Sequence, residues 1–112
     1  MNAESLKGHL DALILSVLEG APLHGYAIIG ELKSRSGGEL ALPEGTVYPA
    51  LHRLEASGLL SSAWSRAGGR RRRVYSITRS GRRELGVRRG DWRRFATVVD
   101  SVLASSAQAA SV

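Results

Sequence analysis

Chemistry in this 112-residue chain begins with its arginines. Residues 66–94 contain twelve of them against two acids, Glu84 and Asp91, whereas residues 1–65 hold four cations against seven acids. The formal net charge is +6, and nearly all of the excess lies in the second segment. A guanidinium fork meets phosphate oxygens in two-point geometry, so a polyanion is the natural partner and nucleic acid the commonest one. Four of the arginines are consecutive, Arg70 to Arg73, and follow Gly68 and Gly69. Other chemistries find no footing. The three histidines, His9, His24 and His52, fall on separate predicted helices, and the chain has no cysteine. No metal-ligand, nucleophile-elbow or paired-acid spacing occurs, which argues against an enzyme and calls for neither a cofactor nor a metal.

The elements that must position these arginines follow from periodicity. Leu6, Leu10, Leu13, Ile14, Val17 and Leu18 recur at steps of three and four, predicting a helix over residues 5–19 with Ser5 as its N-cap and Gly20 and Pro22 at its end. A second helix is expected from His24 to Ser36, with Ile28, Ile29 and Leu32 inward and Gly37–Gly38 closing it. A third is expected over residues 44–57, with Val47, Leu51 and Leu54 facing the core and Ala50 on another side. Pro49 is tolerated there if Thr46 is the N-cap, because it then falls in the first turn; an earlier start predicts a kink.

The period then changes. Residues 59–66 and 72–77 read as a β-hairpin across a glycine-rich tip, and Thr78 caps a last helix over 79–103. Residues 104–112 lack large side chains and are expected to fray. The expected fold is mainly α with a small β-hairpin: a winged helix-turn-helix domain over 1–78, then a long C-terminal dimerisation helix over 79–103. No apolar run spans a bilayer and the N-terminus is no signal peptide, so the expected compartment is the cytoplasm.

In that architecture the third helix enters a major groove of double-stranded DNA and the hairpin is the wing. Thr46, Tyr48, Pro49, His52 and Arg53 are the candidate contacts on the helix, and Arg70, Arg71, Arg72 and Arg73 those on the wing. Thr46 offers a hydroxyl near a helix N-terminus, Tyr48 a hydroxyl and a ring, and Arg53 a fork for phosphate or guanine. Glu44 and Glu55 are expected to point away from phosphate or to position arginines. On the last helix, Leu85, Trp92 and Val99 are spaced by sevens, with Phe95 and Val102 on the adjacent row. Such a stripe is a candidate homodimer seam.

The segment from Gly45 to Leu60 resembles the signature of PadR-like transcriptional regulators. So do His24-Gly25-Tyr26, the strand from Arg71 to Thr78, and Gly81 early in the last helix. The resemblance covers residues 6–103 and implies a dimeric transcription factor, usually a repressor, of the short-tailed branch. It also implies that Tyr48 and its neighbours contact operator DNA, and that Trp92 faces its symmetry mate across a cavity for flat aromatic effectors. The alternative is a small-molecule module, binding drugs or aromatic compounds through Trp92, in which DNA binding is secondary.

Overall fold

A computed structural model describes Leu6 and residues 8–104. The described elements are α1 (Leu10–Leu18), β1 (Leu23–His24), α2 (Gly25–Arg35), α3 (Glu44–Ala56), β2 (Leu60–Ser65), β3 (Arg72–Ile77) and α4 (Arg79–Leu103), with a single 3-10 turn at Ala67–Gly69. The strands form one antiparallel sheet in the order β1-β3-β2. This is a winged helix-turn-helix with a long final helix, as the sequence predicts.

The core is built from one face of each element. Ile14, Leu15, Val17 and Leu18 of α1, Ile28 and Leu32 of α2, and Val47, Ala50, Leu51 and Leu54 of α3 meet Leu60, Tyr75 and Leu85. At about 25 cal/mol per Å2 of apolar surface removed from water, this cluster is the main force holding three short helices together. Ala50 corrects the expected outward placement: it is 1% exposed, because α3 is covered on two sides and its buried stripe is wider than three residues.

Other boundaries move for local reasons. The first helix starts at Leu10, because Gly8 sits at a φ of +86° and turns the chain; the Leu6 carbonyl accepts from the amides of His9 and Leu10 at 2.8 and 3.3 Å. The expected cap Ser5 lies outside the described residues, as do residues 105–112 of the expected tail. Strand β1 was not expected; two residues are too few for a period, and β1 exists only through its pairing of Leu23 with Tyr75 and His24 with Val74. The third helix starts at Glu44, with Pro43 as its N-cap, so Thr46 is not the cap and Pro49 stands at the sixth helical position. There Pro49 cannot donate to the Gly45 carbonyl one turn back. The helix nevertheless runs on to Ala56, held by Val47, Ala50, Leu51 and Leu54 in the core.

Thr78 caps α4 as expected: its hydroxyl accepts from the Gly81 amide at 3.0 Å and donates to the Gly58 carbonyl at 2.7 Å. The helix has 25 residues, a length of about 37 Å at 1.5 Å per residue. The molecule measures 63 × 28 × 22 Å, so α4 reaches well beyond the body it starts from.

Candidate nucleic-acid interface

The outer side of α3 carries Gly45, Pro49, His52, Arg53 and Ala56, all exposed. Thr46 and Tyr48 are half-buried on its flanks. Tyr48 leans across to α2, where its ring lies against Gly25: a Cβ built on that glycine would sit 2.3 Å from the Tyr48 hydroxyl oxygen. The glycine of the sequence triplet at 24–26 is therefore the seat of Tyr48. Burial first, and the Glu44 carboxylate second, push the Tyr48 hydroxyl above the ordinary phenol range, so it stays a protonated donor. Tyr26, beside it, is 65% exposed, and the neighbouring Glu44 carboxylate raises its ionisation range as well.

Arg53 is exposed on the outer side of α3, but its guanidinium is paired with Asp11 of α1. The ion pair is a surface one, of the kind worth about 0–1 kcal/mol, so a phosphate can displace it.

The wing arginines separate by strand alternation. Arg70 and Arg71 lie exposed at the tip, whereas Arg72 and Arg73 already belong to β3. Arg72 approaches the His24 ring nitrogen Nε2 at 3.0 Å, on one face of the sheet. Arg73 lies on the other face, 3.7 Å from the Glu55 carboxylate of α3 and on the same side as Tyr75. Glu55 also accepts from the Ser62 hydroxyl of β2 at 2.6 Å. This carboxylate ties the wing to the last turn of α3, so the basic hairpin is held next to the exposed side of the helix.

Trp64 pairs directly with Arg73 across the hairpin. It remains 55% exposed, with the Arg71 guanidinium 4.2 Å and that of Arg73 5.3 Å from its ring centre. Trp64 and Asp11 escaped the sequence reading as site residues, and Tyr26 entered it only within the triplet at 24–26. Trp64 was the most legible of them, since counting back from the hairpin register opposes it to Arg73.

The expected seam on α4 divides. Leu85 is 1% exposed, buried in the core of its own chain, which corrects its assignment to a partner-facing stripe. Its end of α4 packs on α1, where Arg89 clamps Glu19 at 2.9 Å and Ser16 at 3.1 Å. Trp92, Phe95 and Val102 are exposed and Val99 half-buried, and Val87, Val98 and Leu103 add to the open apolar surface. Trp92 meets His9 edge to face at 5.1 Å and Phe95 at 6.0 Å. A groove of about 1060 Å3 runs between α1 and α4, with His9, Leu13, Arg88, Trp92 and Phe95 in its walls. Among the described residues no helix is long and apolar enough to cross a membrane, and no cluster of His, Asp or Glu has the makings of a metal site.

Comparison with known proteins agrees with this arrangement. A crystal structure of a PadR family transcription regulator from Clostridium difficile R20291 is 35% identical, with a TM-score of 0.76 over 87% of this chain and 100% of that one. A PadR family regulator from Eggerthella lenta is 32% identical, with a TM-score of 0.80 over 92% of this chain and 88% of its own. A transcriptional regulator of Mycobacterium tuberculosis is 49% identical over 63 residues, 56% of either chain. The model of the transcriptional regulator PadR-like family matches residues 14–87, which takes in α2, α3, the wing and the start of α4; the chain belongs to that family.

Proposed function

We propose that this chain represses transcription in the cytoplasm by binding an inverted repeat in double-stranded DNA as a homodimer, and that a flat aromatic compound releases it. It is not an enzyme in this reading and needs no cofactor. The observation that carries the proposal is the Glu55 junction, which holds a basic wing beside the exposed side of a reading helix. Thr46, Tyr48, Pro49, His52 and Arg53 then face a major groove, and Arg70 to Arg73 meet the flanking backbone or minor groove.

The open stripe of Trp92, Phe95, Val99 and Val102 supports the dimer. A helix overhanging its own body leaves this apolar surface in water unless a second copy covers it. Two-fold symmetry would place two α3 helices about 34 Å apart, one helical turn of DNA.

The test is fluorescence anisotropy with a duplex from the region upstream of the chain's own gene. If each half-site neutralises three to four phosphates, log affinity falls with log salt at a slope near about −6. Absence of duplex binding even in dilute buffer overturns the reading. The groove between α1 and α4 favours one second reading, an aromatic-compound module in which DNA is incidental. Quenching of Trp92 by aromatic dyes, lost in Trp92→Ala, combined with no duplex binding, would select it.

A further inference from the structure

The four wing arginines are not equivalent, and the difference rests on one exposed indole. Arg73 is committed: it faces the Glu55 carboxylate and lies over Trp64. Its guanidinium thus has a partner on the protein. Arg72 is turned to the opposite face, towards His24. Arg71 differs from both. It is exposed, and the contact that holds it among the described residues is the face of Trp64, at 4.2 Å. That distance is well inside the range of about 6 Å over which a ring quadrupole attracts a cation.

The register says which way this pair looks. Leu60, Ser62 and Trp64 share one face of β2, opposite Ile77, Tyr75 and Arg73 on β3. Leu60 and Tyr75 are buried against the helices, and Ser62 bonds Glu55 of α3. Trp64 therefore continues the α3 side of the hairpin past the end of the core, and Arg71 stands one step further out.

An exposed tryptophan in solvent costs free energy, and a flexible arginine must give up rotamer freedom when it grips a phosphate. Stacking answers both. The indole shields one side of the guanidinium while its N–H edges stay open, and part of the ordering is complete before DNA arrives.

We infer that Trp64 is a positioning residue for nucleic-acid binding: it holds Arg71 on the α3 side of the wing, aimed at the DNA backbone beside the groove that α3 enters. This rests on the DNA-binding reading above. It assigns the wing's anchoring contact to the Trp64–Arg71 pair, not to the arginine run as a whole.

The experiment is a double-mutant cycle with a labelled mixed-sequence duplex of about 30 base pairs in dilute buffer, repeated across a salt series. Trp64→Ala weakens binding about threefold to fivefold per wing, the ordering of Arg71 that binding must then supply, and leaves the salt slope unchanged because no charge is lost. Arg71→Ala weakens binding and flattens the slope by about one unit per chain. The double variant binds no more weakly than Arg71→Ala alone, and Trp64→Phe restores most of the loss. Thermal melting of each variant separates a lost stack from a lost fold, and Trp64→Phe carries the test if Trp64→Ala melts early. Additive losses in the cycle, or duplex binding by Trp64→Ala equal to the parent, would overturn the inference while leaving DNA binding intact. No duplex binding by the parent would overturn both.

Discussion

At the scale of single residues, the candidate reading surface depends on atoms that touch no ligand. Gly25 has no Cβ, and that is where Tyr48 fits. Gly25→Ala pushes the phenol off α2. The expected result is a loss of about 1–3 kcal/mol in urea unfolding, the usual cost of overpacking, together with weaker duplex binding. Tyr48→Phe in the same background tests the cause, since removing the hydroxyl relieves the closest of the clashes and should recover part of the stability. Arg53 has the opposite problem, a carboxylate partner, Asp11, that in the proposed complex would compete with a DNA phosphate. Asp11→Asn releases it from α1 at a stability cost of no more than about 1 kcal/mol. Duplex affinity of Asp11→Asn should equal or exceed that of the parent, and Arg53→Ala should lower it; anisotropy decides both. Arg70→Ala and Arg72→Ala should weaken binding to all sequences alike. Damage confined to one sequence would instead make them base readers.

Elements are joined by a few polar bridges, and the one between Arg89 and Glu19 responds to acid. Arg89 of α4 holds the Glu19 carboxylate below its ordinary range, chiefly by a direct hydrogen bond. A carboxyl group whose pKa is lower folded than unfolded stabilises the fold above the unfolded value, and that contribution fades as pH falls through the folded value. The α1–α4 clamp should therefore be intact near neutrality and loosen below about pH 4.5. The carboxylate is open to water, so the effect is small. Chemical-shift titration should place the Glu19 midpoint below that of a free glutamate, and Arg89→Gln should return it. A midpoint at the ordinary value in the parent would remove the clamp. Glycine enters at one further junction between elements: a Cβ on Gly81 would stand 2.2 Å from the Leu59 carbonyl oxygen, so α4 leaves the sheet closer than any other residue permits.

For the whole molecule, the long helix serves two purposes along its length. Leu85 belongs to the core, and Leu85→Ala should cost about 2–5 kcal/mol in equilibrium unfolding without changing the mass of the assembly when folded. Trp92→Asp combined with Val102→Asp lies on the open stripe. It should leave secondary structure unchanged by circular dichroism and give monomers in sedimentation velocity. A dimer that persists in the double variant would locate the interface elsewhere. Monomers should also bind a duplex far more weakly, since joining two half-sites raises affinity through effective concentration.

The amino-acid sequence by itself determined the order of helices, the hairpin and the approximate span of the last helix, which runs from Arg79 to Leu103. Those follow from local causes: apolar periods, glycine and proline punctuation, and a threonine whose hydroxyl caps the turn after it. It also identified the basic segment, because charge is additive along a chain. Strand β1, the burial of Ala50 and Leu85, the Arg53–Asp11 pair and the distinct partners of Arg71, Arg72 and Arg73 were decided only by tertiary structure. Each depends on what lies opposite. Two residues become a strand only beside β3, a heptad position becomes core only where α1 covers it, and an arginine's charge is spent or kept according to whether a carboxylate or an indole faces it across space.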